Sequence, residues 1–526
     1  MKKIYSYLLF FTITMLVFSS CKKTYDELYV NQNKPTSVPP SLLFTGILND
    51  MYERPYSQNE VWSQYYIYNY DYYGNNRYDF GSATMYYNTL KNVIKMEEEA
   101  LKTGAPAINA YEALGKFFRA YFFTKMSLQL GDIPMKQALA GVNNLMPAYD
   151  LQKDVFKQSL LWLDSANTDL KTLSIKNETN LTGDIFYGND LKKWQKTINT
   201  FKLRLLIHLS KKESDADLNI KSQFAAIINN PSQYPIMQDA GDNLQYNYIF
   251  PTNSYPNNPG NFGFDGSRNN MSATYVGLLT QLQDPRIFVT AEPARYYVDS
   301  LHQSPTSFSS FVGANPGEDL GVMYNNAGLG KYSFLNRKRY YFTYTAEPAI
   351  QIGYAEMCFN IAEAISRGWI TGNAETWYTT GIKASMKFYG IPENGPLTVY
   401  FYRPGSAGVD KIQNYDAYTV NGEFNTYYNQ PLVKYAGDNA QGLTQILQQK
   451  YLAMFRHSGL EAYYNYRRTG VPSFGKGTGT GNSGRIALRF KYPASENSAN
   501  TANYKSALQN QYGGNDDING QMWLLK

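Results

Sequence analysis

Cysteine is almost missing from this chain. Cys21 and Cys358 are the only two among 526 residues. That excludes the disulfide framework that staples small secreted domains, so stability must come from packing. Histidine is as sparse, with His208, His302 and His457 far apart. No metal-binding histidine pair, Gly-x-Ser-x-Gly elbow or phosphate loop occurs. His208 and His457 fall within or beside apolar helical stretches and read as satisfied structural imidazoles rather than general bases. Excess charge is lacking too, with 49 Lys and Arg against 43 Asp and Glu. No basic run concentrates it, which argues against nucleic acid as a partner. Past residue 20, no apolar run approaches the length of a membrane span.

The N-terminus does carry a short apolar run. Lys2 and Lys3 precede the uncharged stretch 8–18 (LLFFTITMLVF), and Ser19-Ser20 lead directly into Cys21. That order reads as a lipoprotein export signal covering residues 1–20, with Cys21 acylated after cleavage. Lipid chains then hold the protein on a membrane without a spanning helix. Residues 21–40 are polar and carry three prolines, as a tether would. Residues 41–526 read as one domain.

Tyrosine is what the chain has in excess, 48 residues beside 28 Phe. Most should fill helix–helix seams. Apolar residues at three-to-four spacing predict helices at 111–130, 154–170, 191–210, 350–365, 374–389 and 443–455. Several arrive as pairs joined by short turns, the pattern of stacked helical hairpins, although no regular repeat period is present. Between them lie long Tyr-, Asn-, Gly- and Pro-rich stretches at 67–81, 240–270, 293–346 and 391–440, a length that is uncommon in loops without function. Arg339 to Tyr344 (RYYFTY) reads as a short strand within one of them. The expected fold class is mainly α, a helical-hairpin scaffold with a loop-rich half containing short strands.

Two loop segments carry the candidate ligand-binding residues. The first holds Tyr68, Tyr70, Tyr72, Tyr73 and Tyr78 among Asn and Arg residues. Sugars stack their C–H faces on such rings and give their hydroxyls to such polar groups. The alternative is that the alternation of Tyr66, Tyr68, Tyr70 and Tyr72 marks one buried strand face. The second segment holds Tyr255, Asn257, Phe262, Phe264, Asp265 and Arg268, stiffened by Pro251, Pro256 and Pro259. Its alternative is a structural crossover. Glu97-Glu98-Glu99 reads as a solvated helix face, and Arg467-Arg468 as partners in internal ion pairs. Asn515 to Gly520 opens like a calcium loop, but the closing acid would fall at Lys526, so a turn is expected. Neither a metal nor a cofactor is expected, and catalysis is poorly supported.

The chain resembles the SusD/RagB family of outer-membrane nutrient-binding lipoproteins, in its SusD-like group two branch. The resemblance rests on an ordered set of motifs: Tyr29 to Pro35, Leu130 to Pro134, Asp184 to Asn189 with Trp194, and Gln283 to Arg286. It continues through Tyr354-Ala355-Glu356, Ala362-Glu363-Ala364, Arg367-Gly368-Trp369, Arg467 to Pro472 and Gly514 to Asn519. It implies tetratricopeptide-like helix pairs on one side and no enzymatic activity. It also implies a cell-exterior outer-membrane location, with a SusC-type TonB-dependent transporter as partner and oligosaccharide as cargo. Stacked helices would supply the transporter-docking side. A surface glycoside hydrolase, or a capture protein for peptides or other non-sugar nutrients, are the rival readings.

Overall fold

The computed structural model describes residues 37–72, 74–177 and 180–526. Cys21 and Tyr73 lie outside the described residues. Helix α1 (Pro40–Asp50) packs on α2 (Tyr87–Lys102), α2 on α3 (Ala110–Leu130), α3 on α4 (Gln152–Lys176) and α4 on α5 (Leu191–His208). The chain then leaves the layer, and α6 (Leu320–Gly328) stands in the loop-rich half. It returns as α7 (Tyr354–Ser366), which packs on α5, α8 (Ala374–Phe388) and α9 (Ala440–Ala453), and continues to α10 (Glu461–Thr469). This is a tetratricopeptide-like layer of helical hairpins.

Local chemistry sets the helix ends. Asn109 caps α3 by accepting from Glu112 N, Asp190 caps α5, and Asn373 and Asn439 cap α8 and α9. Helix α3 stops at Gly131, whose φ of 94° suits glycine. Helix α3 is apolar nearly all round because it lies at the centre: Phe117 and Phe118 both meet the Trp194 ring of α5, at 5.8 and 6.2 Å. The Asp184 motif is structural. Its carboxylate accepts from Phe186 N, Tyr187 N and Asn189 N, and from Trp194 Nε1 at 2.8 Å, which fixes the entry to α5.

Among the described residues the loop-rich half contains three two-stranded antiparallel ladders: β1 (Tyr66–Tyr68), β2 (Leu244–Tyr246), β3 (Asn269–Met271), β4 (Ala349–Ile352), β5 (Pro396–Tyr402) and β6 (Tyr415–Asn421) pair as β1–β3, β2–β4 and β5–β6. In the last hairpin Pro396 faces Asn421 and Tyr402 faces Tyr415, and Leu397, Val399 and Phe401 point into the core. It occupies a stretch expected to be irregular.

Two sequence expectations need correction here. Arg339 to Tyr344 is no strand: Arg337–Tyr340 forms a one-turn helix, and Tyr340 and Tyr341 are buried. Arg339 Nε pairs with Glu347 at 2.6 Å, which folds the segment back on itself. Nor is the acidic triplet a free solvated face. Glu97 accepts from Arg119 Nη1 at 2.7 Å, and Glu99 pairs with Lys95 and Lys102, both at 2.9 Å. Arg468 does pair internally, with Glu363 of α7 at 2.9 Å, while Arg467 donates to the carbonyls of Leu488 and Leu128. The 515–520 segment is a turn, with Asp517 accepting from Asn519 N. Among the described residues no cluster of acidic, His or Cys side chains is placed to hold a metal ion.

Buried arginines join the two halves. Arg286, with no exposed surface, meets Asp284 at 2.5 Å and donates to Ser385 of α8 at 2.9 Å and Gln449 of α9 at 2.6 Å. An isolated buried charge is strongly unfavourable, so the cation fixes both partners around it. Replacing Arg286 by Met strands Asp284 and should cost about 3–5 kcal/mol in urea unfolding, with Asp284→Leu added in the same chain restoring most of it. An unchanged urea midpoint in the single variant would contradict this role.

Candidate functional site

The two aromatic segments flagged in the sequence are neighbours in space. Strand β1 of the first pairs with β3 at the end of the second: Tyr66 opposes Met271, Ile67 opposes Asn270 and Tyr68 opposes Asn269. Asn69 extends the pairing, its N donating to Arg268 O at 3.0 Å and its Nδ2 to Ser267 O at 2.7 Å. The loop beyond is closed by Asn76. Its side-chain amide accepts from Tyr68 N at 2.8 Å and donates to Tyr68 O at 2.9 Å, standing in for a strand partner. Ring-bearing residues 70–72 are thereby held at a tip.

Exposed rings stand on this tip and on the segment that leads into its partner strand. Tyr72 is 82% exposed and Phe264 is 68% exposed. The Arg268 guanidinium lies 5.0 Å from the Phe264 ring centre and is ion-paired with Asp265 at 3.3 Å. Burial pushes the Asp265 carboxyl up from its ordinary pKa, with Arg268 and Tyr56 opposing the shift. Tyr70 meets Tyr324 of α6 edge to face, centroids 6.4 Å apart, and Tyr324 is itself 58% exposed. Asp319 caps α6 through Gly321 N and Val322 N, which sets that helix, and its tyrosine, against the loop.

Between loop and helix is an open cleft of about 620 Å³. Tyr70, Tyr324, Phe334 and Leu329 give it apolar walls, and Asn69, Ser267 and Asn325 give it hydrogen-bonding groups. A smaller cleft of about 180 Å³ shares Tyr70 and is lined by Tyr68, Asp71, Arg77 and Asp319. Flat apolar faces beside amide and carboxylate edges suit a ligand with C–H faces and hydroxyl rims.

The structure takes three predicted residues out of this surface. Tyr78 is buried and donates to Trp62 O at 2.8 Å. Tyr255 and Asn257 are wholly buried, gripped by Arg456, whose Nε donates to Tyr255 at 2.9 Å and whose Nη2 donates to Asn257 at 2.5 Å. Their polar atoms accept from an internal cation, whose Nη1 stays buried without a hydrogen-bond partner among the described residues, so they serve the interior rather than the surface. Phe262 wedges between Tyr341 and Tyr402, each 5.4 Å away, and acts as an anchor. Tyr68, Tyr70, Tyr72, Phe264, Asp265 and Arg268 remain at the surface or partly exposed. Sequence reasoning missed Tyr324, Asn325, Leu329 and Phe334. Tyr324 is one ring in a short helix, and the Asp319 cap that announces that helix was its only signal.

A family profile described as starch-binding, associating with the outer membrane, matches residues 32–493. The chain belongs to the SusD-like family. Two SusD homologues of Bacteroides fragilis, each 30% identical, superpose with TM-scores of 0.80 and 0.76, covering 93% of this chain and 100% of theirs. A chitin-binding SusD homologue from Flavobacterium johnsoniae shares the fold at 20% identity, with a TM-score of 0.67 over 93% of this chain and 98% of its own. No curated protein matches. Among the described residues no helix is long and apolar enough to cross a membrane.

The Asn76 clamp makes a testable demand. Asn76→Ala removes two hydrogen bonds to Tyr68, so amides of residues 68–72 should exchange faster and unfolding stability should fall by about 1–2 kcal/mol. Unaltered exchange in that loop would show that Asn76 does not hold it.

Proposed function

We propose that this SusD-like protein captures an oligosaccharide on the ledge formed by Tyr70, Tyr72, Phe264 and Tyr324 and hands it on unaltered. The observation that carries the reading is the meeting of Tyr70 and Tyr324, drawn from separate chain segments, across one open cleft with amide and hydroxyl groups on its walls, while Tyr72 and Phe264 stand exposed on the two paired segments that flank it. Rings of this kind stack on sugar faces, and such a solvated ligand binds with affinity of about micromolar order. The chitin-binding relative supports testing chitin oligosaccharides beside starch fragments.

In this reading Cys21 carries the lipid, residues 21–40 tether the protein to the outer membrane facing outward, and a SusC-type TonB-dependent transporter receives the cargo. The tether meets the helical layer where Ser37 Oγ donates to Glu99 at 2.8 Å. The stacked helices offer the transporter a broad, stiff face, while the ledge belongs to the loop-rich half.

Titration of starch and chitin oligosaccharides into the purified protein tests the reading. Binding to one of them should weaken about three- to tenfold in Tyr324→Ala and again in Tyr72→Ala, as expected for loss of one stacking ring each. Binding that survives both substitutions would move the site elsewhere. Release of reducing ends would replace capture by hydrolysis.

A further inference from the structure

A second, more enclosed space lies away from the ledge. It is a cavity of about 190 Å³ bounded by α3, α5 and the segment entering α10, and the exposed Ser82 and Thr84 stand at its edge. Apolar cavities of about 150 Å³ admit benzene, so this volume accommodates a six-membered ring.

Its walls differ from those of a packing void. Lys125 is ion-paired with Glu53 and lies 4.5 Å from the Tyr86 ring centre. Arg204 is held by Glu356 through Nε at 2.7 Å and through Nη2. His208 donates to Glu461 Oε2 at 2.8 Å. Two of these pairings leave an atom over, and two neighbouring side chains add one each. Arg204 Nη1, Glu461 Oε1, Gln129 Oε1 and the Tyr464 hydroxyl have no hydrogen-bond partner among the described residues. None of these four residues is more than 8% exposed, and all four line the cavity. Gly459 completes the frame: at φ +58° its Cβ would fall 2.5 Å from Glu53 Oε2, so the carboxylate stands there only beside glycine.

The charge pattern narrows the ligand. Lys125 is matched by Glu53 and Arg204 by Glu356, so an anionic ligand meets no unmatched cation. What is left over is the two N–H groups of Arg204 Nη1, the Lys125 N–H groups not taken by Glu53, two acceptors and a hydroxyl that serves as either, with the rings of Tyr86, Trp62 and Phe490 alongside. Neutral molecules with several hydroxyls on a compact ring fit that set.

We propose that this cavity is a second binding site, which takes a single neutral monosaccharide with its hydroxyls on Arg204, Glu461, Gln129 and Tyr464. The site is separate from the ledge and does not depend on it. The test is saturation-transfer NMR and calorimetry of the purified protein with glucose, galactose, N-acetylglucosamine and xylose, and with glycine and lysine as competing polar probes. At least one sugar should bind saturably. Its binding should weaken about tenfold in Tyr464→Phe, which removes only the hydroxyl, and vanish in Thr84→Trp, which blocks the edge. Tyr324→Ala on the ledge should leave it unchanged. If Tyr464→Phe fails to fold, the exposed Thr84→Trp carries the test alone. No saturable sugar binding, binding of the amino acids instead, or loss in Tyr324→Ala with none in Thr84→Trp would each overturn the proposal.

Discussion

Buried guanidinium groups are what the loop-rich half of this protein depends on. That half has little regular structure to stiffen it, because its ladders β1–β3 and β2–β4 span only three or four residues per strand. Short isolated ladders are marginal in water. Arg286 and Arg456 supply what the ladders lack, each with its charged head buried and at least two fixed acceptors on it. A planar cation with five donors specifies geometry in a way that apolar contacts do not. Arg456 also stacks on the Tyr340 ring at 4.7 Å, so rings and hydrogen bonds meet at one point.

The ledge inherits its order from that interior. Tyr255 and Asn257 look like ligand-binding residues in sequence and are instead the acceptors that hold Arg456. Above them the Asn69 and Asn76 side chains complete backbone pairing that β1 and β3 cannot complete alone. Exposed rings set on a rigid base lose less conformational entropy on binding than rings on a mobile loop. The proposed capture therefore rests on residues set in the interior, away from the exposed rings.

The helices were legible in the sequence because burial on one face leaves a three-to-four spacing. The predicted 111–130 and 191–210 segments correspond to α3 and α5 almost end to end. Resemblance to the SusD-like family was legible in scattered short motifs, and several of these prove structural, such as Asp184 under Trp194 and Asp284 beside Arg286. Orientation of aromatic rings was not legible. Tyr72 and Tyr78 stand in one Tyr-rich run, yet one is 82% exposed and the other 1%, since the direction a ring takes depends on partners hundreds of residues away, Thr480 O for the backbone at Tyr78. The hairpin β5–β6 was hidden for a related reason: its Tyr-rich strands have the same composition as the neighbouring loops. Tyr324 was missed because clustering was the only signal used, and it reaches Tyr70 only through the fold.

The central claim is that the ledge is built before the ligand arrives. Native-state hydrogen exchange, followed with and without a bound oligosaccharide, tests it most directly. The account predicts that the amides of Asn69, Met271 and Tyr78 are protected in the free protein to nearly the level of the α3 and α5 amides and change little on binding. Rapid exchange at these three positions in the free protein, becoming slow only with ligand, would contradict it.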